Sequence, residues 1–323
     1  MKPIKIYSVP WHVAHQFELL KIPNLEWHYQ LSHIRHWSEY ARPKPSNIHW
    51  ETHYEAGKYD LAVLHIDQQC VLQDLGKSRL YRHLRSVVND IPVIVINHGS
   101  PVYPEMINWN DCVRLMKKLV GNATMVVNSH QAKRDWGWGH PIIHGLDPAE
   151  WFDLPKEPRC ITFISSAGIG TKYYGRMLLD EVRAKLWEKY KIKHLWVGQD
   201  YYPTGFDDYK DFVGRSLVYF NPTFGSPMPR SRTEAMMSGC CIITTPYHDA
   251  DTFIVNGQNG YLVDEKAEDI ARLIKDCIMD YRKTLAIGQE GKKTAIKLFS
   301  KERYQKDWLD LINNVLKQQP KWE

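Results

Sequence analysis

The chain has 323 residues, 43% of them hydrophobic and 24% charged, with 42 Lys+Arg against 37 Asp+Glu for a formal net charge of +5. These are globular proportions and exclude a disordered, collagenous or low-complexity chain. The length exceeds what one hydrophobic core usually fills, so two domains are expected. Residues 1–155 hold 16 of the basic and 15 of the acidic residues, so neither half is a basic arm and no polyanion footprint stands out.

Taken in chain order, the pattern alternates strands with helices. Residues 5–9 read as a strand and 15–22 as a helix. Residues 61–65 form an apolar strand, 80–88 a basic amphipathic helix, and 93–97 a buried strand ending at His98-Gly99-Ser100-Pro101. A helix over 110–119 and strands at 125–128 and 141–144 follow. Continuous apolar strands separated by helices indicate a parallel sheet covered on both faces. The polar, proline-containing stretch 154–159 is the expected domain boundary. The alternation then restarts with a strand at 160–164, a small-residue loop at 165–170 and a helix over 171–190. Strands at 194–198 and 216–220, a helix from about Ser231, strands at 241–244 and 261–263 and a helical stretch over 267–316 complete it. The expected organisation is a first doubly wound domain at 1–155, a second at 156–300, and a helix at 301–323 returning to the first.

The six cysteines, Cys70, Cys112, Cys160, Cys240, Cys241 and Cys277, include no C-x-x-C pair, and they read as reduced thiols of a cytoplasmic protein. The N-terminus runs straight into a strand without a signal-like apolar region, and no stretch approaches a membrane span. Thirteen of the 15 histidines lie before residue 150 and eight of the 12 tryptophans before residue 152. That bias fits either a recognition surface or an aromatic core and rim.

Several segments could carry chemistry. Ser165-Ser166-Ala167-Gly168-Ile169-Gly170-Thr171-Lys172 follows a strand and opens a helix. Small residues there admit a phosphate to free helix N–H groups, and Lys172 adds a full charge; a tight turn capped by Thr171 is the plainer alternative. In the loop from Pro222 through Arg230 into the next helix, Glu234 falls in the first turn. Its carboxylate could accept both hydroxyls of a ribose, or close a capping box with Ser231. His98 ends a buried strand, where ligands meet open α/β sheets, although a histidine satisfied by backbone is equally compatible. Trp11, His12, His15 and Gln16 follow the first strand, and Asp67 ends another. Aromatic and imidazole groups suit stacking and hydrogen bonding to a sugar or base. Asp249-Ala250-Asp251 spells a metal–nucleotide D-x-D motif, but in a loop of the second domain. Arg79, Arg82 and Arg85 with Lys117-Lys118 form basic helix faces, read as solvated surface in preference to a site of peripheral contact with an anionic membrane or a polyanion.

Glu234-Ala-Met-Met-Ser-Gly239, Cys241-Ile-Ile-Thr-Thr245 and Asn256-Gly-Gln-Asn-Gly-Tyr-Leu-Val263, in this order, resemble the donor-site signature of retaining GT-B glycosyltransferases. This is the large glycosyltransferase group 1 (family 4-like) set with sucrose synthase and bacterial mannosyl- and glucosyltransferases. Val127-Asn-Ser-His-Gln-Ala-Lys133, Ile143-His-Gly-Leu-Asp-Pro-Ala-Glu-Trp-Phe152 and Val197-Gly198 resemble further segments of the same series. The likeness runs over roughly residues 90–300. Ser226 stands where the family usually has the first of two glutamates, Ser166 where it usually has an arginine, and Pro10-Trp11-His12 where it usually has a glycine-rich loop. Arg176, Arg230 and Arg232 are the candidate replacements for the missing cation.

The resemblance implies a GT-B fold, two Rossmann-like domains facing across a cleft. It implies a nucleoside diphosphate sugar held by Gly168, Gly170, Thr171, Lys172, Thr223, Ser226, Arg230 and Glu234, with Lys172 and Glu234 acting on the leaving diphosphate and its ribose. His98 would touch the sugar near the reacting carbon. Trp11, His12, His15, Gln16, Asp67 and Gly99 would face a glycan, lipid-linked or small-molecule acceptor. With Lys172 and a helix dipole on the diphosphate, no metal or other cofactor is expected. Two alternatives stay open: transfer to a hydroxylated base in DNA, which the charge split does not favour, and a catalytically inactive nucleotide-sugar-binding module, which Ser226 would suit.

Overall fold

Apolar runs of β-branched residues alternating with amphipathic segments produce two all-parallel sheets. The computed structural model describes residues 2–72, 75–101, 107–164 and 173–318. The chain divides into two units, Met1–Gly145 with Lys301–Glu323, and Leu146–Ser300.

The first unit runs β1 (Ile4–Ser8), α1 (Val13–Leu19), β2 (Leu25–Gln30), β3 (Ile48–Glu51), β4 (Leu61–Ile66), α2 (Gly76–Val87), β5 (Val93–Asn97), α3 (Trp109–Val120), β6 (Thr124–Val127), α4 (His130–Trp136) and β7 (His140–Pro141). Its seven strands lie in the order β3-β2-β1-β4-β5-β6-β7. Side chains alternate across a strand, so each strand feeds both faces. Tyr7, Leu64 and Val95 pack with Leu80 and Leu84 of α2, Met116 of α3 and Trp136 of α4. Ile6, Val63 and Ile94 point the other way, onto Leu19 of α1 and onto Tyr304, Trp308 and Ile312 of the C-terminal helix Lys301–Lys317. Caps set the helix ends. Asn108 accepts from Asp111 N–H at 2.9 Å before α3, and Ser129 from Ala132 N–H at 2.9 Å before α4. Gly137, at φ 74°, ends α4 in the left-handed region.

The second unit runs β8 (Glu157–Thr162), α5 (Arg176–Tyr190), β9 (Leu195–Trp196), α6 (Phe206–Gly214), β10 (Ser216–Asn221), α7 (Arg230–Met237), β11 (Cys241–Thr244), α8 (Ala250–Phe253), β12 (Tyr261–Leu262), α9 (Ala267–Met279) and α10 (Tyr281–Leu298). The strand order is β12-β11-β10-β8-β9. Cys160, Val218 and Ile243 pack under Leu179 and Val182 of α5 and Ile270 and Ile274 of α9. Buried Lys156 donates to Gly214 O at 2.6 Å and to Ser238 O, so one ammonium holds the C-terminal carbonyl ends of α6 and α7 together.

Several elements differ from the sequence expectation. Strands β2 and β3 and helix α6 were not anticipated. The expected strand at 141–144 shrinks to His140–Pro141. The helical stretch expected from residue 267 is broken at Asp280 into two helices, and the helix set apart at 301–323 runs Lys301–Lys317 among the described residues. The division falls at Gly145/Leu146, ahead of the stretch 154–159. Leu146 N–H donates to Phe299 O at 2.8 Å, and the Trp151 ring meets Phe206 and Tyr209 at 5.8 and 6.3 Å, which ties this segment to the second unit. All six cysteines are buried and unbridged. Among the described residues, no helix is long and apolar enough to cross a membrane.

Candidate functional site

In the first unit, parallel strands deliver their C-terminal ends to one edge. There the loop after β1, the turn after β4, His98 after β5 and Asn128 after β6 meet. His98 is the centre. The His12 ring stacks on it at 5.2 Å and 17°, the His65 ring at 5.2 Å and 21°, and His15 meets it edge-on at 5.0 Å and 83°. His65 Nδ1 lies 3.0 Å from His98 Nε2, and Asn128 Nδ2 lies 3.5 Å from His98 Nδ1. Burial first, and then the neighbouring imidazoles and Arg35, hold His98 well below the ordinary histidine value; burial pushes His65 down to about 3. Both rings are therefore neutral near pH 7.

The other residues expected on the acceptor side divide by exposure and by what they hold. His12 is exposed and caps α1, accepting at Nδ1 from His15 N–H at 3.4 Å. Trp11 is buried with the core and lies 5.2 Å beneath the Arg35 guanidinium. Gln16 is fully buried and binds the loop backbone. Asp67 accepts from Gln69 N–H at 2.9 Å and pairs with Lys77 at 2.6 Å, which ties the turn after β4 to α2. Gly99 donates to Asn97 Oδ1 at 3.0 Å and accepts from Trp136 Nε1 at 2.9 Å, and a Cβ there would lie 1.8 Å from Gln68 Oε1. Sequence reasoning missed His65 and Asn128 as partners of His98. The available signal was a histidine inside an otherwise apolar strand.

In the second unit, the loop between β10 and α7 is fastened from several sides. Phe224 and Gly225 N–H groups donate to Tyr173 O at 3.2 and 2.9 Å. Thr245 Oγ1 donates to the carbonyl of buried Thr223 at 2.7 Å, and His248 Nε2 to Phe224 O at 2.7 Å. Burial lowers His248 to about 4, so it makes this bond as a neutral ring. Ser226, partly exposed, belongs to the same loop. Gly175, at φ 72°, precedes α5 where a Cβ would lie 1.9 Å from Pro222 O, so only glycine lets this helix start approach the loop.

Glu234 is buried. Its Oε1 accepts from Arg230 Nε at 2.9 Å and its Oε2 from Tyr209 OH at 3.0 Å. The capping box with Ser231 does not form. The helix starts at Arg230, after Pro229, so Glu234 lies beyond the first turn. Ser231 Oγ instead donates to Phe163 O at 2.9 Å and contacts Tyr219 OH at 2.7 Å. Of the candidate cations, Arg232 is buried and donates to the carbonyls of Tyr247 and His248 at 3.2 and 3.1 Å, and Arg176 pairs with Asp180 at 3.4 Å. Gly168, Gly170, Thr171 and Lys172 lie outside the described residues. The two aspartates of the D-x-D motif differ in setting, Asp249 buried ahead of α8 and Asp251 exposed within it.

Two Rossmann-like units in one chain, each built on an all-parallel sheet, have the architecture of the GT-B fold. Residues 181–294, all within the second unit, match the model of the family described as Glycosyl transferases group 1. No curated protein matches the chain in sequence. Among solved structures, the chain is similar to Anabaena HepE in complex with UDP and glucose: TM-score 0.70, 14% identity, 96% of this chain and 99% of that one. Sucrose-phosphate synthase from Thermosynechococcus elongatus gives a TM-score of 0.68 at 13% identity over 98% and 100% of the two chains. A glycosyltransferase from Rickettsia africae gives 0.63 at 15% identity over 99% and 100%.

Proposed function

We propose that the protein is a retaining glycosyltransferase that moves a sugar from a nucleoside diphosphate sugar to an acceptor hydroxyl. The observation that carries this reading is Glu234: a buried carboxylate with preset partners, beside the β10–α7 loop, inside the segment that matches Glycosyl transferases group 1. HepE, similar over nearly its whole length, is known in complex with UDP-glucose, so UDP-sugars are the first donors to test.

In this reading Glu234 accepts the ribose hydroxyls, with Thr223, Ser226 and Arg230 around it. Gly168, Gly170, Thr171 and Lys172 bind the diphosphate. Negative charge grows on that diphosphate as the glycosidic bond breaks, and fixed N–H groups with one ammonium stabilise it without reorganisation. Lys172 and the helix start supply this charge, so no metal is assigned a role. The acceptor hydroxyl attacks from the leaving-group face and passes its proton to the departing diphosphate oxygen as the glycosidic bond breaks, which retains anomeric configuration and needs no covalent carboxylate. His98 is assigned to the sugar. His12, His15 and Trp11, with Gln16, Asp67 and Gly99 shaping their loops, are assigned to the acceptor, a glycan, lipid-linked or small molecule. The six buried free thiols fit a reducing compartment such as the cytoplasm.

A thermal-shift screen of common nucleotide sugars followed by a donor-hydrolysis assay tests the reading. Ligand at 100 times its dissociation constant adds about 2.7 kcal/mol of stability. Stabilisation by one nucleotide sugar with slow release of free sugar supports transfer. Stabilisation without release would point to a binding module, and no stabilisation would contradict the proposal.

A further inference from the structure

The side-chain amide of Gln16 has one permitted orientation. Its Oε1 accepts from Trp11 N–H at 2.7 Å, and its Nε2 donates to Val9 O at 2.8 Å. Reversing the amide would set oxygen against oxygen and N–H against N–H. The second amide hydrogen then points at His65 Nε2, 2.9 Å away. A nitrogen that faces a donor must offer a lone pair. Ser8 Oγ, 3.4 Å from the same nitrogen, gives its own hydrogen to Val63 O at 2.7 Å. Ser8, Gln16 and His65 are all buried, so water offers no competing partner.

His65 therefore carries its proton on Nδ1 and donates it to His98 Nε2 at 3.0 Å. His98 Nε2 is thereby an acceptor, and the neutral ring keeps its proton on Nδ1. Asn128 lies 3.5 Å from that nitrogen. The atom at that distance is Nδ2, a donor that an Nδ1–H ring would oppose; the Asn128 amide must therefore be turned over, presenting Oδ1, which has no other hydrogen-bond partner among the described residues.

We infer that His65 is a positioning residue: with Gln16 behind it, it locks His98 in the Nδ1–H tautomer, so that His98 meets a substrate oxygen as a hydrogen-bond donor and not as a proton-abstracting base. The catalytic consequence rests on the proposed glycosyl transfer; the tautomer does not. The oxygen concerned is a hydroxyl of the donor sugar, which accepts from an N–H.

Nitrogen-15 histidine labelling of the full chain, with two-bond proton–nitrogen correlation spectra near neutral pH, reads the tautomer directly; His98→Gln assigns the signals. The wild-type ring shows its proton on Nδ1. His65→Leu, which cannot donate, moves His98 toward the Nε2–H form. His65→Asn places an amide nitrogen where the imidazole Nδ1 was and restores the original form. An Nε2–H ring in the wild type, or an unchanged tautomer in His65→Leu, overturns the inference. If the leucine variant does not fold, the wild-type spectrum decides alone. With the donor found in the nucleotide-sugar screen, His65→Leu lowers kcat roughly tenfold, the weight of one hydrogen bond, at unchanged donor KM, and His65→Asn recovers it. Full kcat in His65→Leu alongside a shifted tautomer overturns the catalytic part. An Nδ1–H ring with no turnover from any nucleotide sugar upholds the lock and counts against glycosyl transfer instead.

Discussion

Arg230 Nε donates to Glu234 Oε1 at 2.9 Å, one helical turn along α7, while Tyr209 OH of α6 takes the other carboxylate oxygen at 3.0 Å. The carboxylate is thus held in place before any ligand arrives, by a cation and a phenol that share its burial. Removing one member of a buried pair leaves the other charge uncompensated, so Glu234→Ala should destabilise the fold by about 3 kcal/mol. Tyr209→Phe should cost about 1 kcal/mol, the net value of one hydrogen bond. Urea unfolding followed by tryptophan fluorescence measures both. Equal midpoints for wild type and Glu234→Ala would contradict the burial argument.

His98 and Glu234 belong to different units, and the account gives them separable roles. His98→Ala should lower kcat ten- to hundredfold, on the order of one or two hydrogen bonds, while nucleoside diphosphate affinity stays within about twofold. Steady-state kinetics paired with calorimetric titration separates the two effects. Unchanged turnover in the variant would remove His98 from the chemistry.

Gly99 shows how tightly the turn after β5 is built. A Cβ there would meet Gln68 Oε1 at 1.8 Å and Gln68 backbone N at 2.8 Å, so the turn after β4 would have to move. Gly99→Ala should cost about 1–3 kcal/mol, the usual range for overpacking. Because Gly99 neighbours His98, it should also disturb the His98 spectrum. An alanine variant with wild-type stability and an unaltered His98 signal would show that the turn yields freely.

Burial holds His65 and His194 down to about 3 and His248 to about 4 in the folded chain. Their unfolded value is near 6.5, so below that pH the unfolded chain binds protons that the folded chain refuses. Stability from this source is complete above about pH 6.5 and drains as pH falls toward 3–4, by about 1.4 kcal/mol per pH unit for each histidine well inside that window. Unfolding free energy measured between neutral pH and pH 5 should therefore fall steeply on acidification. A flat profile would mean that these rings protonate freely in the folded state.

The parts legible in the sequence were those with local causes. Strands β5, β10 and β11 are continuous apolar runs, and α3 and α9 are amphipathic segments, so periodicity alone located them. Strand β2, Leu-Glu-Trp-His-Tyr-Gln, was missed because its polar residues are accounted for only by tertiary partners: His28 sits between Glu26 at 2.9 Å and Glu51 of β3 at 2.7 Å. Helix α6 was missed because its residues Phe206-Asp-Asp-Tyr-Lys-Asp-Phe-Val-Gly214 follow a glycine and proline loop that reads as irregular. The candidate residues followed the same division. His98 stood out from its place after a strand and before a glycine, and Glu234 from its expected place at a helix start and from the resemblance of Glu234–Gly239 to a known donor-site signature. The His65–Gln16 relay joins residues 49 positions apart and exists only once β1 and β4 pair side by side. The capping box was a sound local expectation that failed because the helix takes Pro229, two residues before Ser231, as its N-cap.

Calorimetric titration of UDP and GDP, each against the wild type, Lys172→Ala and Glu234→Ala, tests the central claim most directly. The account predicts that one of the two nucleotides binds the wild type with measurable heat and at least tenfold more weakly to each variant, since each removes a charged or hydrogen-bonded contact worth about 1.4 kcal/mol or more. Equal affinity in all three proteins, or no binding of either nucleotide to the wild type, would contradict it.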